Sequence, residues 1–160
     1  MKRIRLEPSA YQQGHCFSVA IATAHRAHHF KKAHTVHLCL GALSETAERY
    51  HASVFAYCFM PDHLHLLVAT PSGVDLVQFV RQFKQLSAYR FGRESSRAPL
   101  WQARFYDHAL RSDEKLSEVA RYIWENPVRT ALAQSPAEYP YSGSLVWEGE
   151  ENLRLETARV

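Results

Sequence analysis

Two strand-forming segments, ASVFAYCF (52–59) and HLHLLVAT (63–70), are separated by only the short turn sequence Met-Pro-Asp. Both segments are rich in aromatic, β-branched or other apolar residues, as strands usually are. Pro61 fixes its own φ and Asp62 favours a bend, so the sequence predicts a tight turn and an antiparallel hairpin. This hairpin constrains the fold strongly, because both segments must then lie side by side in one sheet.

The second strand of the hairpin carries two histidines, His63 and His65, within an otherwise apolar run. Side chains along a strand alternate between the two faces of a sheet, so both imidazoles are expected on one face, with Leu64 and Leu66 on the other. Imidazole binds many divalent ions, but two ligands alone do not complete a metal site. On the pair alone, a metal site and two histidines on a solvated sheet face are equally good interpretations.

The remaining segments supply further strands and helices around the hairpin. Residues 14–23 form a β-leaning run, and residues 34–50 have apolar residues at helical spacing. After the hairpin, residues 74–92 are predicted to form an amphipathic helix and residues 100–111 a strand. The order β-α-β-β-α-β, followed by a helix, predicts an α+β fold. This is a ferredoxin-like antiparallel sheet with helices on one face and the other face open for a site.

The last predicted helix begins after Ser112, a good N-cap residue, and runs to about Asn126, where Pro127 is expected to stop it. Tyr122 and Asn126 lie together at the margin of its apolar stripe, because residues four apart share a face. There they could lean over the neighbouring sheet, although such residues are also common in ordinary helices. The buried stripe is predicted to consist of Leu116, Val119, Ala120 and Ile123.

Positive charge is concentrated in the middle of the chain. Residues 81–129 contain ten Lys/Arg and six Asp/Glu, a net charge of +4, whereas residues 130–160 contain two and five, a net charge of −3. A basic segment suits a polyanionic partner, although ordinary solvated helix faces give the same composition. We expect one domain over residues 1–143 and an acidic tail over residues 144–160.

Cysteine usage and hydropathy predict a cytoplasmic protein. The three cysteines, Cys16, Cys39 and Cys58, have no CxxC spacing and are expected to be buried, reduced thiols. No apolar run approaches the roughly 18 residues that a bilayer requires. The basic N-terminus has no apolar segment after it, so a secretory signal and a membrane partner are not expected.

Three sequence blocks resemble those of a known family. MPDHLHLL looks like the MPNHxHLL signature of IS200-like HUH transposases, named for histidine, bulky hydrophobic residue, histidine. LWQARFYDHALR and VARYIWENPVRTAL are similar to the downstream blocks of one branch, the REP-associated tyrosine transposases. The blocks occur in the family's order, and the resemblance covers roughly residues 14–143.

The resemblance implies an HUH-type ferredoxin-like fold and a role for each matching residue. His63 and His65 would bind a divalent metal ion, Mg²⁺ or Mn²⁺, and Asn126 would complete the metal site. Tyr122 would be the nucleophile that cleaves single-stranded DNA and forms a 5′-phosphotyrosine link. The implied substrates are palindromic repeats folded into hairpins, and the implied setting is the nucleoid. His108 matches a position often occupied by histidine, and either packing or a hydrogen bond near the site is its expected role.

Several cations are candidate DNA contacts, although solvated surface arginines fit equally well. Five lie along the second long helix and the loop after it, and two lie near the last helix: Arg81, Lys84, Arg90, Arg93, Arg97, Arg111 and Arg129. Another five side chains look like a metal cluster by count but lack a repeated ligand spacing, and they are interpreted as surface residues: His25, His28, His29, His34 and His37.

Two other functions fit the same sequence. One is a module of this fold that binds hairpin DNA without cleaving it, and the other is an unrelated metal-binding ferredoxin-like protein with no affinity for DNA. A monomer is favoured, because the REP-associated branch tends to act alone, but a homodimer that shares its sites is possible within the wider family.

Overall fold

The computed structural model describes residues 15–95 and 98–147. The strands are β1 (Cys16–Ala22), β2 (Ser53–Met60), β3 (His63–Ala69), β4 (Tyr106–Ala109) and β5 (Ser142–Gly143). The α-helices are α1 (Ala33–Tyr50), α2 (Leu76–Glu94), α3 (Leu116–Trp124) and α4 (Asn126–Arg129). Short 3₁₀ turns occupy Ala24–Arg26, His29–Lys31 and Pro136–Glu138.

The strands form one antiparallel sheet in the order β4-β1-β3-β2-β5. β2 and β3 pair directly across the Pro61–Asp62 turn, with Met60 opposite His63, as the hairpin prediction requires. β1 pairs with β3 on the other side, so β3 is the central strand of the sheet. The predicted α+β antiparallel sheet with its helices is confirmed.

One face of the sheet is covered by α1 and α2. The inward side chains of β1 and β3, including Ile21, Leu64 and Leu66, are fully buried in the same core cluster as Leu43 of α1 and Phe83 of α2. Each buried leucine or phenylalanine contributes about 1.5–3 kcal/mol of hydrophobic stabilisation. The strand alternation therefore directs Leu64 and Leu66 to the two long helices, as predicted, and the histidines to the opposite face.

The opposite face is partly covered by α3. Ile123 and Trp124 of α3 are buried in a second core cluster with Cys58, Met60 and Leu67 of β2 and β3. The indole N–H of Trp124 also donates to the carbonyl oxygen of Gly143 in β5, at 3.0 Å. On its β2 side this face is therefore closed by α3, which is fixed to the sheet there.

Two predicted element boundaries near α3 are wrong. The strand expected over residues 100–111 is only Tyr106–Ala109, and Trp101 forms an isolated bridge with Thr23 instead. Ser112 does not cap α3, which begins after Lys115. The reason is a tight turn over residues 111–114, in which the Glu114 side chain accepts the N–H of Arg111 at 3.0 Å and contacts His108.

The end of the last helix also differs from the prediction. α3 ends at Trp124, and Pro127 lies in the first turn of α4 rather than acting as a stop. A proline is tolerated in a first turn because its missing N–H would have no helical acceptor there.

The chain after α4 returns to the sheet. Tyr139 is buried, and its hydroxyl donates to the carbonyl oxygen of Phe59. Ser142–Gly143 pairs with β2, and the ring of Trp147 packs against Phe55 and Trp124. Ser142 and Gly143 are both buried in this short edge strand, which the sequence analysis does not predict. Residues 148–160, which hold most of the acidic charge, lie outside the described part of the chain, and the boundary after 143 stays a prediction.

The cysteines behave as expected from the sequence. All three are free thiols, with Cys39 and Cys58 buried and Cys16 half-buried. Burial raises the pKa of Cys39 to about 12 and that of Cys16 to about 11, so both thiols are protonated and poorly nucleophilic at neutral pH. Among the helices of the described residues, none combines the length and the apolar character that a membrane span requires.

Replacing Trp124 by phenylalanine should lower the free energy of unfolding by about 1–3 kcal/mol. The variant leaves the Gly143 carbonyl without its donor and leaves a gap beside Trp147. Urea unfolding measures the loss. Leu132→Ala, at a side chain that is 48% exposed, is the control and should change stability by less than about 0.5 kcal/mol. Equal stability of Trp124→Phe and the wild type would show that α3 is not fixed by this contact.

Candidate metal and nucleophile site

His63 and His65 meet on the face of the sheet that carries α3. Their Nε2 atoms are 3.0 Å apart, and their rings are nearly perpendicular. The cause is local, because residues two apart on a strand point the same way and both histidines belong to β3. The sequence prediction that the two imidazoles share a face is confirmed.

Asp62 orients the first histidine of the pair. Its Oδ1 is 2.6 Å from Nδ1 of His63, and its Oδ2 is 3.4 Å from Nε of Arg26. Burial alone would raise the pKa of Asp62, but the hydrogen bond and charge of His63 and the charge of Arg26 together lower it. The ionised carboxylate accepts the Nδ1–H of His63, which leaves the lone pair of Nε2 available for a cation.

His65 is kept neutral by its surroundings. Burial lowers its pKa to about 4, and the positive charges of His63, Arg129 and Arg26 act in the same direction. A neutral imidazole is the form that binds a metal ion. At neutral pH this side chain therefore offers a lone pair without first losing a proton.

The spacing of the two imidazoles fits an octahedral ion. At a metal–ligand distance of about 2.1 Å, two adjacent ligands at 90° are about 3.0 Å apart, which is the Nε2–Nε2 distance found here. Within residues 15–95 and 98–147, no group of three His, Cys, Asp or Glu side chains could hold a metal ion. A third ligand from these described residues would therefore be of another type, and Asn126, the first residue of α4, stays the predicted one.

Helix α3 places Tyr122 on the flank that faces away from the β5 edge. Trp124 points to that edge, where it meets Gly143 and Trp147. Two helical steps of about 100° separate it from Tyr122, so the tyrosine lies on the opposite flank of the helix. Its side chain is 64% exposed and is accessible to a large substrate.

Arg129 connects the tyrosine with the histidine pair. Its guanidinium lies over the ring of Tyr122, 3.8 Å from the centroid, and its Nη2 donates to the backbone carbonyl oxygen of Tyr122 at 2.7 Å. Glu125 lies 3.8 Å from Nη1 of the same side chain. The charge of Arg129 also helps to lower the pKa of His65. Arg129 therefore contacts the tyrosine directly and acts on the histidine pair through its charge.

The cations predicted along α2 lie on the other face of the sheet. Arg90 forms an ion pair with Glu45 of α1 at 2.5 Å, and Lys84 donates to the carbonyl oxygens of Gln102 and Ala103. Arg93 lies 5.9 Å from the ring centroid of Tyr89. Arg81 and Arg111 are exposed, and Arg97 lies outside the described residues. The structure does not bring the α2 cations together with the histidine pair, and their contact with DNA stays a prediction.

His108 is tied to the turn before α3. It lies on β4 opposite Ser18, and its Nε2 is 2.9 Å from Oε1 of Glu114. The N–H of Arg111 and the His108 ring together lower the pKa of Glu114, so the carboxylate is the ionised partner. The described contact of His108 is therefore with Glu114, not with either histidine of the pair, and its role at the site stays a prediction.

The five histidines that look like a metal cluster by count are dispersed rather than gathered around one ion: His25, His28, His29, His34 and His37. Four are exposed, and His29 packs its half-buried ring against Phe91 at 4.9 Å between centroids. His34 forms an ion pair with Glu94. The sequence missed Arg26 and Asp62 as neighbours of the site. Asp62 directly precedes His63 and could have been found, whereas the approach of Arg26 depends on the tertiary fold.

One face of the antiparallel sheet thus carries both the histidine pair of β3 and helix α3, which contains Tyr122. Residues 12–126 match the family described as "Transposase IS200 like", so the chain belongs to this family and the predicted resemblance is confirmed. A solved structure entitled "Structure of the REP associates tyrosine transposase bound to a REP hairpin" is similar in fold, with a TM-score of 0.72 and 20% identity. The similarity covers 89% of this chain and 82% of that one.

Two relatives carry the name of the predicted branch. A protein of Haemophilus influenzae called "Putative REP-associated tyrosine transposase" is 33% identical over 112 residues, which is 63% of this chain and 64% of the relative. A "REP-associated tyrosine transposase" of Escherichia coli is 26% identical over 87 residues, or 54% of this chain and 51% of the relative. The matched part of the chain thus spans one half to two thirds of these relatives.

In EDTA, the free energy of unfolding should fall as the pH is lowered from about 6.5 to about 4. The unfolded chain protonates His65 near 6.5, but the folded protein does so only near 4, so the lost stability approaches a few kcal/mol at about 1.4 kcal/mol per pKa unit. Urea unfolding at several pH values measures it. His65→Asn should lose this part of the pH dependence, and His37→Asn, at an exposed site, should keep it. The same pH dependence in all three proteins would contradict the assignment.

Proposed function

We propose that the protein is a metal-dependent endonuclease and strand transferase that acts on single-stranded, hairpin-forming repeat DNA through Tyr122. The observation that carries the proposal is the histidine pair, spaced as two adjacent ligands of an octahedral ion, on the face of the sheet against which the helix of the exposed Tyr122 packs. Membership of a transposase family supports the same chemistry.

Three residues would hold the metal ion, Mg²⁺ or Mn²⁺: His63, His65 and Asn126. When bound, such an ion polarises a non-bridging phosphate oxygen and offsets its negative charge. Asp62 would keep the Nε2 lone pair of His63 directed to the ion through its 2.6 Å contact with Nδ1. The low pKa of His65 would keep the second lone pair available down to mildly acidic pH.

Tyr122 would act as the nucleophile. Its phenolic oxygen forms a bond to phosphorus while the bond from phosphorus to the 3′ oxygen breaks, and the phenolic proton passes through solvent to the leaving oxygen. The products are a free 3′-OH and a 5′-phosphotyrosine link. Because the link is itself a phosphodiester, a later 3′-OH can reverse the step and join strands without an external energy source.

A hairpin substrate is supported by the solved structure of similar fold, which is that of a transposase bound to a REP hairpin. The positive charge of residues 81–129 suits a polyanion. Arg129 lies beside Tyr122, so a phosphate that reaches the tyrosine would also meet a guanidinium. These features favour DNA as the partner over the metal-binding protein without DNA affinity.

Tyr122→Phe should abolish cleavage and leave DNA binding within about twofold of the wild type, because only the attacking oxygen is lost. A denaturing gel with end-labelled hairpin oligonucleotides from the protein's own genome measures both the cut and the covalent adduct on the 5′ end of the downstream fragment. Tyr89→Phe is the matched control, since Tyr89 is 63% exposed but lies on α2, across the sheet. Binding without an adduct in the wild type, with every metal, would instead identify a hairpin-binding module.

EDTA should stop cleavage, and added Mn²⁺ or Mg²⁺ should restore it. His63→Ala should lower the rate by at least about 100-fold at saturating DNA, because one metal ligand is lost. Isothermal titration with Mn²⁺ should show weaker metal binding by the same variant. His37→Ala, an exposed histidine of α1, is the control and should behave as the wild type. Cleavage that persists in EDTA would rule out the metal-dependent mechanism.

A further inference from the structure

Arg26 occupies a strained turn next to the histidine pair. Its φ is 54° and that of the preceding His25 is 55°, so two successive residues with side chains adopt the left-handed conformation. This conformation is unfavourable for a residue with a side chain, so the arrangement persists only where its surroundings hold it.

The surroundings that hold this turn are the hairpin turn and the segment before β4. The N–H of Thr23 donates to the carbonyl oxygen of Asp62 at 2.9 Å, and the N–H of Phe30 donates to that of Pro61 at 3.1 Å. The N–H of Ala24 donates to the carbonyl oxygen of Leu100 at 3.0 Å. Arg26 is thereby fixed relative to the residue that immediately precedes His63.

The guanidinium of Arg26 contacts Asp62 at Nε and is accessible at its two terminal nitrogens. Asp62 contacts Nε at 3.4 Å, and 57% of the side chain is exposed, so the two terminal nitrogens can still donate to a ligand. An arginine whose side chain is already oriented loses less conformational entropy when it binds a ligand. Paired terminal N–H groups match the geometry of a phosphate.

We propose that Arg26 binds a backbone phosphate of single-stranded DNA beside the histidine pair. The inference rests on the proposed function and adds a contact that the sequence does not indicate. The position of Arg26 follows from two contacts of Asp62, one with Nε of Arg26 at 3.4 Å and one with Nδ1 of His63 at 2.6 Å. A phosphate bound by the terminal nitrogens of Arg26 would therefore lie close to the histidine pair.

The simpler alternative is that Arg26 only offsets the charge of Asp62. The two roles differ in what they predict for Asp62→Asn, which removes the ion pair and keeps the guanidinium. A phosphate contact then persists, and DNA affinity stays equal or rises because a negative charge has been removed. A purely structural Arg26 would make Asp62→Asn as harmful as the loss of Arg26 itself.

The test is DNA binding by protein that carries Tyr122→Phe, in EDTA, so it does not depend on cleavage. Fluorescence anisotropy with labelled oligothymidylate at several salt concentrations gives the affinity and its salt dependence. Arg26→Gln should weaken binding about five- to tenfold and reduce the slope of log affinity against log salt by about 0.7. Arg49→Gln, which removes the same charge at the exposed end of α1, should change affinity less than about twofold.

Thermal melting first shows whether Arg26→Gln is folded. Should it be unfolded, Arg26→Lys replaces it, and this variant should keep the salt slope but bind more weakly, because lysine lacks the paired donors. Unchanged affinity in a folded Arg26→Gln, or an equal loss in Asp62→Asn, would overturn the inference. Wild-type cleavage is assayed separately. A failure of the proposed cleavage activity is therefore distinguished from a failure of the proposed phosphate contact of Arg26.

Discussion

The pairing of β2 with β3 across the Pro61–Asp62 turn is the constraint on which the site depends. It fixes the direction of every side chain on β3, so Leu64 and Leu66 enter the core under α1 and α2 and the histidines lie on the face that carries α3. A shift of one residue in the pairing would exchange the two sets and bury both imidazoles among apolar side chains. The burial of Leu64 and Leu66 therefore also sets the orientation of the histidine pair.

The same turn links the loop after β1 to the histidine pair. Its backbone carbonyl groups accept hydrogen bonds from Thr23 and Phe30, and its Asp62 side chain contacts both Arg26 and His63. One short turn thus closes the hairpin, orients an imidazole and holds an arginine. Because the turn accepts hydrogen bonds from Thr23 and Phe30, on either side of the strained residues His25 and Arg26, it holds their left-handed backbone in place.

The second requirement is a helix held firmly above the sheet. Trp124 provides this attachment through its buried ring and its hydrogen bond to Gly143, and the chain after α4 must return to the sheet to supply that partner. Tyr122 itself is largely exposed and contributes little to packing. The position of the proposed nucleophile is therefore set by its neighbour two residues away and by Arg129, rather than by its own burial.

Local patterns in the sequence determined the hairpin, the shared face of His63 and His65, the two long helices and the family. These features depend on strand alternation, helical spacing and motif order, which are properties of neighbouring residues. The tertiary structure decided the start of α3, the return of β5, the engagement of Arg90 with Glu45 and the approach of Arg26 to Asp62. The return of β5 and the contacts of Arg90 and Arg26 join residues that are distant in the chain, so they depend on packing that no local pattern encodes. The start of α3 depends on the Glu114 side chain, which forms a turn with Arg111 and His108 where the sequence suggested an N-cap at Ser112.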